Sequence, residues 1–335
     1  MVKLSIPQDV LLNYNSLFTS YWFYGDLQLL STQFDRKNAY IFNNFLNLYS
    51  FGYDDFSLYF AYELKHKQME MYTHCPFLEY RIIERIKQPM TISFIKTLID
   101  YDWSVIVYVN RKEFKNYSGS DCPHQIMVYG YDDRNRTLRF CDNGPTGRYR
   151  HDLECDYDAF IHGYHVIDDN AKIDTTFDFE NHCYAFKPKP CHTYDIDLYK
   201  ISQEFNTYIG KIPNEYAYIG NIDGINIYDH MESYLTAVMN NETELNPHMG
   251  SYSVLIDHKS VCESLCDELA KQGIVDGELK NEYNAIKKSA SAILYRLLCY
   301  LRVPSHERIQ NVIDTIKQMR ETEFLLISKI LDQIG

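Results

Sequence analysis

His124 and Asp142 are the residues whose types and spacing are best suited to chemistry. They lie in SDCPHQIMVYGYDDRNRTLRFCDNG, where two apolar runs flank the polar segment DDRNR, a pattern that predicts a β-hairpin. If the turn centres between Asp132 and Asn135, the two side chains lie almost opposite each other, with Cβ atoms about 5 Å apart. A carboxylate there would hold the imidazole in one tautomer and stabilise its charged form, as the orienting member of a catalytic triad does. The alternative is an ordinary ion pair at the rim of a sheet.

The first half of the chain mixes helical and strand patterns around this hairpin. Helical patterns occur near residues 17–32, in NNFLNLYSF and in SFIKTLID, whereas MEMYTHCPF and SVIVYVN are typical of strands. Because the later part is connected by a hairpin, we predict an α+β fold with an antiparallel sheet.

The pattern becomes helical after KPKPCH, and it stays helical to the last residue given. Gly273 is placed to end one helix, and Pro304 with Ser305 separates the last two. We therefore divide the chain into a first domain at 1–170, a connection at 171–194 and an all-helical subdomain at 195–335. The apolar stripe of the last helix predicts a core face, and a homodimer seam is the alternative.

Composition and charge exclude several classes of partner and location. The net charge is −13 and no Lys or Arg cluster is present, which argues against nucleic acid as a partner. No window approaches the length of a membrane span, and the first residues lack a secretory signal pattern, so we predict a cytoplasmic protein. The chain has 9 cysteines, an odd number scattered along its length, which we interpret as reduced thiols.

The sequence predicts neither a metal nor a cofactor. In HCYAFKPKPCH the possible ligands form adjacent pairs, whereas structural zinc sites usually separate the ligands of each half by two to four residues. Cys262 with Cys266, and His162 with His165, are interpreted as structural residues. The sequence contains no glycine-rich nucleotide loop, zincin motif or hydrolase elbow.

The motif PHQIMVYGYDD, followed by CDNG, resembles the papain-like superfamily. Within that superfamily the resemblance is to the bacteriocin-processing cysteine peptidases and to the related N-terminal domain of the butirosin biosynthesis protein H family. In that group a histidine opens a strand and an aspartate on the next strand orients it. YSVLIDHKSVCESLCDEL, with the helical tail behind it, is similar to the C-terminal part of the butirosin type. The resemblance implies a papain-like first domain, with His124 as the base and Asp142 as its orienter.

The nucleophile of these families is missing. They place a cysteine at the N-terminus of the first long helix, where backbone N–H groups and the helix dipole favour the thiolate. The corresponding region, NYNSLFTSYWFYGDLQLL, has no cysteine, and the first one, Cys75, falls in a predicted strand. Ser20 or Thr19 would supply only a hydroxyl, a far weaker nucleophile, and Cys122 shares a strand face with His124 but lies at no helix N-terminus. Loss of the papain-type reaction is the interpretation ranked first, serine substitution second and Cys122 third.

Two functions remain open. The first is an acyl- or peptidyl-transfer enzyme, or a peptidase, that uses His124, Asp142 and either Ser20 or Cys122. The second is a pseudoenzyme that keeps the fold and binds an acyl or peptidyl carrier protein, or a peptide. The resemblance implies that either one belongs to a system that makes a nonribosomal peptide or a related natural product.

Overall fold

The structure is a computed structural model. It describes residues 2–51, 56–62, 68–84, 90–115, 117, 123–144, 147–166, 182–214, 221–247 and 249–335. The strands are β1 (Val2–Leu4), β2 (Leu48–Phe51), β3 (Ser57–Phe60), β4 (Leu78–Glu84), β5 (Ser104–Asn110), β6 (Pro123–Asp132), β7 (Thr137–Asn143), β8 (Tyr149–Asp156), β9 (His182–Pro188) and β10 (Asn221–Asp223).

The described helices are α1 (Gln8–Asn13), α2 (Trp22–Ser31), α3 (Ala39–Phe42), α4 (Gln68–Thr73), α5 (Ile92–Asp100), α6 (Tyr157–His165), α7 (Leu198–Tyr208), α8 (Ile227–Met239), α9 (Gly250–Lys271), α10 (Glu278–Arg302) and α11 (His306–Ile334). Short 3-10 helices occupy Arg111–Glu113 and Gly224–Asn226. Within the described ranges, no helix combines the length and the apolar composition needed to cross a membrane.

The chain folds into two compact units. Unit 1 comprises Met1–Asn38 and His66–Tyr194, and unit 2 comprises Ala39–Lys65 and Asp195–Gly335. The start of the larger segment of unit 2 coincides with the predicted boundary at 195. Residues 39–65, which were predicted to lie in the first domain, belong to unit 2 instead, because β2 pairs with β10 and β3 pairs with β2.

Unit 1 is built on a seven-stranded sheet of order β4-β9-β5-β6-β7-β8, with β1 beside β6. Every described strand pair in it is antiparallel, as predicted. The predicted connection at 171–194 contributes β9, which lies between β4 and β5, so part of that segment belongs to the sheet rather than to a linker. Residues 171–181 of that connection lie outside the described residues.

The core of unit 1 forms where apolar strands meet α5 and α6. All residues of β5 (SVIVYVN) are buried, as expected for a strand with apolar side chains on both faces. Val105, Val107 and Val109 pack in one cluster with residues of β6, β7, α5 and α6. Gly163 lets α6 approach β5 closely, since a Cβ at this position would lie 2.2 Å from the Asn110 carbonyl oxygen.

Unit 2 contains the helices that the sequence predicts after residue 195. Gly273 adopts φ 71° and ends α9, and the Ile274 N–H donates to the Leu269 carbonyl at 3.0 Å, as in a Schellman motif. The unit is not all-helical, however. β10, β2 and β3 form a three-stranded antiparallel sheet, so the prediction of an all-helical subdomain is wrong.

A buried ionic network lies in the core of unit 2. The Lys259 ammonium donates to Glu323 Oε2 at 2.7 Å and to His258 Nδ1 at 2.9 Å, and His258 Nε2 lies 2.9 Å from the Leu46 carbonyl oxygen. The Tyr228 hydroxyl also donates to Glu323 Oε2, at 2.7 Å. Since Lys259, Glu323 and His258 are all 0% exposed, these contacts replace hydration.

Two local predictions are wrong. NNFLNLYSF was predicted to be helical, but its last part forms β2, because a fully buried apolar run does not reveal its period. MEMYTHCPF was predicted to be a strand, but it contains the end of α4 and a turn, so Cys75 lies after a helix. Its Met71 and Tyr72 are buried together on the inner side of that helix.

Candidate functional site

His124 and Asp142 lie on neighbouring strands, β6 and β7, and their side chains are in contact. His124 Nδ1 is 2.9 Å from Asp142 Oδ1. The strands pair Met127 with Cys141. Continuing this register places Asp142 diagonally across from His124 rather than opposite it, because the turn centre lies later than the sequence analysis assumed. The predicted contact is therefore present, although the predicted register is wrong.

A β-bulge brings the two side chains to the same face. Asp132 pairs with Thr137 and Gly130 with Arg139, but beyond the irregularity at Tyr129 the partner of Val128 is Phe140. Because side chains alternate along a strand, a regular hairpin with this turn would direct His124 and Asp142 to opposite faces. The extra residue on β6 restores the shared face, as bulges near functional sites often do.

The imidazole of His124 has a defined tautomer. Nδ1 lies 2.8 Å from the Gln125 carbonyl oxygen as well as 2.9 Å from Asp142 Oδ1, and both of these are acceptors. The N–H direction favours the Gln125 carbonyl, with Asp142 Oδ1 off its axis. Nδ1 therefore carries the hydrogen, and Nε2 of the neutral ring is an acceptor. Nε2 has no hydrogen-bond partner among the described residues, and the side chain is 27% exposed.

The other oxygen of Asp142, Oδ2, accepts hydrogen bonds from a guanidinium and from a hydroxyl. Arg111 Nη1 donates to Oδ2, and the Tyr117 hydroxyl donates to the same atom at 2.8 Å. The Arg111 guanidinium also stacks over the Tyr117 ring, 4.5 Å from its centroid. Burial, followed by the nearby Asp142 carboxylate, raises the pKa of Tyr117, so that its hydroxyl stays protonated and donates.

This arrangement changes the electrostatics of the pair. Asp142 is fully buried and already forms an ion pair with Arg111. A carboxylate that is neutralised by a guanidinium stabilises an imidazolium less than an unpaired one does. Asp142 therefore lies beside the His124 ring as a carboxylate already paired with a cation, and it offers the ring less charge stabilisation than an unpaired carboxylate would.

The N-terminus of α2 approaches His124 with an aromatic side chain. Trp22 is the first residue of α2, and its ring lies 6.3 Å from the His124 ring between centroids, at an interplanar angle of 75°. The segment before it is fixed to the sheet, because Asn143 Nδ2 donates to the Ser20 carbonyl at 2.6 Å and the Tyr149 N–H donates to the Thr19 carbonyl at 3.1 Å. The N-terminus of α2 thus places an indole beside His124.

The predicted nucleophiles are unequally placed. Ser20 is buried, 3% exposed, with its hydroxyl oxygen closed off from solvent. Cys122 lies outside the described residues. Burial raises the pKa of the Cys75, Cys141 and Cys155 thiols well above the usual value, which is the opposite of thiolate activation.

A buried hydrogen bond links α2 to β8. The Tyr149 hydroxyl donates to Asp26 Oδ1 at 2.9 Å, and the Tyr149 ring occupies the space a Cβ on Gly25 would need, at 2.7 Å. Burial raises the pKa of Asp26 well above its usual value. The position of the α2 N-terminus is therefore fixed by packing within unit 1.

Sequence reasoning missed Arg111, Tyr117, Asn143 and Trp22. Arg111 follows β5 in a short 3-10 helix, in which the Asn110 side chain accepts a hydrogen bond from the Lys112 N–H. This capped turn would have been the only local signal. No group of three metal-ligating side chains occurs in the described part of the chain. No protein-family model matches the chain, and no curated protein matches it.

Proposed function

We propose that the chain is a papain-like protein of a natural-product biosynthetic system that has lost acyl-transfer chemistry and binds a carrier protein or a peptide. The observation that carries the proposal is the Trp22 ring at the N-terminus of α2, facing His124. A histidine oriented by an aspartate on the next strand, with a helix N-terminus beside it, is the geometry that papain-like catalysis requires. Here the helix supplies an apolar ring in place of a thiolate.

The choice of partner rests on the motifs around His124 and in the helical region, which resemble the butirosin biosynthesis protein H family. Proteins of this type act beside assembly systems that carry acyl and peptidyl groups on carrier proteins. A partly exposed imidazole beside an indole would suit the polar head and apolar chain of such a group.

One observation favours a second function. His124 keeps Nδ1 protonated by its contacts and leaves Nε2 without a partner among the described residues, which is the state that a general base needs. An active acyltransferase or peptidase would combine this base with Cys122 or Ser20. The burial of the Ser20 hydroxyl counts against the serine version.

The test is to incubate the protein with iodoacetamide and with a fluorophosphonate, and to map the labelled residues by mass spectrometry. In parallel, a carrier protein bearing an acyl-phosphopantetheine thioester is offered to the wild type and to His124→Ala. We expect binding of the carrier by both proteins, with no acceleration of thioester loss. Stoichiometric labelling of Cys122 or Ser20 that disappears in His124→Ala would establish the active enzyme instead.

A further inference from the structure

β4 lies at one end of the sheet of unit 1, and β8 lies at the other. Among the described residues, β4 pairs with β9 alone, through the register Leu78 with Pro188 to Glu84 with His182. A strand in this position turns every second backbone N–H and C=O away from its own sheet. Such an edge is a template for another strand.

The two edges differ in the side chains they expose. Along β8 the exposed residues are Arg150, Asp152 and Glu154, all charged, which is a usual protection against edge-to-edge pairing. β4 also exposes the charged residues Glu79, Arg81 and Glu84, but in addition Tyr80 is 45% exposed and Ile82 is 56% exposed, and as alternate residues these two share one face. Among the described residues no strand pairs with the outer edge of β4, although the Leu78 N–H already donates to the Cys75 carbonyl at 3.1 Å. Tyr80 and Ile82 form an uncovered apolar pair on this strand.

The order of residues in β4 is complementary to itself. In an antiparallel pair of two copies related by a two-fold axis through Tyr80, Leu78 lies opposite the second copy's Ile82. On the other face of the same ribbon, Glu79 lies opposite the second copy's Arg81, and this ion pair occurs on both sides of the axis. One register thus satisfies the apolar face and the charged face together.

The neighbouring registers do not have this property. An axis through Arg81 places two guanidinium groups opposite each other, and an axis through Glu79 does the same with two carboxylates. An axis through Ile82 sets Tyr80 against Glu84. Charge complementarity therefore selects the axis at Tyr80.

From this we infer that β4 is a homodimer interface, in which two copies of the chain join their seven-stranded sheets by antiparallel pairing of residues 78–84 about Tyr80. The occupant is a second copy rather than an unrelated peptide, because the matching charges and apolar residues are supplied by the strand itself. This inference is independent of the chemistry at His124.

The experiment is sedimentation velocity over a concentration series on the full chain, with wild type, Glu79→Arg and Arg81→Glu. Wild type should dimerise with increasing concentration, and each variant should weaken dimerisation about tenfold or more, because each places like charges opposite one another on both sides of the axis. An equal mixture of the two variants should recover the dimer, since every 79 to 81 contact in the mixed pair joins opposite charges.

Ile82→Lys tests the apolar face, and Tyr199→Lys is the matched control, because Tyr199 is also exposed but lies on α7. Thermal unfolding of each variant checks the fold, which matters for Arg81, whose guanidinium lies 4.5 Å from the centroid of the Trp103 ring. A monomeric wild type overturns the inference, and so does a dimer that Ile82→Lys leaves intact. Single variants that weaken the dimer without recovery in the mixture overturn the register.

Discussion

Arg111 and Asp142 form a buried ion pair directly behind His124. The Arg111 guanidinium holds one oxygen of the carboxylate whose other oxygen contacts the imidazole. The chemistry available to His124 therefore depends on a residue that never touches it in the described contacts.

Replacing Arg111 by Met should destabilise the protein strongly. Breaking a buried ion pair leaves an uncompensated charge and costs about 3 to 5 kcal/mol. The exposed pair Arg136 with Asp158 is the matched control, with side chains 65% and 90% exposed, and Arg136→Met should cost less than about 1 kcal/mol. Urea denaturation measures the free energy of unfolding of each variant. A loss in Arg111→Met no larger than the small loss expected for Arg136→Met would show that the Arg111 contact contributes little to stability.

Replacing Trp22 by Cys should create a reactive thiol. The new side chain stands at a helix N-terminus beside an imidazole, which are the two features that favour a thiolate. We expect position 22 to react with iodoacetamide at neutral pH about tenfold or more faster than an ordinary thiol, and to lose this advantage in Trp22→Cys with His124→Asn.

The control is Thr32→Cys at the C-terminal end of the same helix, where the helix dipole disfavours the thiolate. Mass spectrometry after tryptic digestion reports each position separately from the native cysteines. If position 22 reacts no faster than position 32, the α2 end does not correspond to a papain-type nucleophile position.

Replacing Gly163 by Ala should destabilise unit 1 although alanine favours helices. The added methyl would lie 2.2 Å from the Asn110 carbonyl oxygen, so α6 or the turn that carries Arg111 must move. We expect a loss of about 1 to 3 kcal/mol in the free energy of unfolding. Gly277→Ala is the control, because nothing lies within 4 Å of a Cβ there, and an unchanged stability in both variants would refute the close approach.

The stability of unit 2 should fall as the pH is lowered from about 6.5. Burial, followed by the Lys259 ammonium, lowers the pKa of His258 from 6.5 to about 3. As the pH falls, His258 is therefore protonated in the unfolded chain before it is protonated in the folded protein. Its contribution to stability is complete above the unfolded pKa and is lost progressively as the pH falls toward the folded pKa of about 3. The slope from one such group is about 1.4 kcal/mol per pH unit.

Measuring the free energy of unfolding between about pH 6.5 and 4.5 tests this, because carboxyl groups such as Glu323 contribute mainly below that range. Burial opposes ionisation of Glu323, but Lys259 and the other partners outweigh it and lower its pKa. His258→Gln should flatten the pH dependence relative to wild type. His306 is exposed, so His306→Gln should leave the pH dependence of the free energy of unfolding unchanged. The same pH dependence in wild type and in His258→Gln would contradict its assignment to His258.

The hairpin and the long C-terminal helices could be predicted from the sequence because their signals are local: a polar turn between apolar runs, and an apolar period sustained over many residues. The register of the hairpin could not be predicted, because no residue type in this stretch indicates the bulge at Tyr129. Arg111 and Tyr117 reach Asp142 from the segment after β5, far from Asp142 in the sequence, so only the tertiary fold reveals them. The assignment of residues 39–65 to unit 2 depends on pairing with β10, far along the chain.

The split arrangement of unit 2 has a consequence for synthesis on the ribosome. Residues 39–65 leave the exit tunnel long before residues 195–335, with which they form one compact unit. This early segment contains Phe45, Tyr49 and Phe60, which are buried in the finished protein. While unit 1 is being translated these aromatic side chains lack their final surroundings, so the nascent chain offers a binding site for chaperones until the last helices are made.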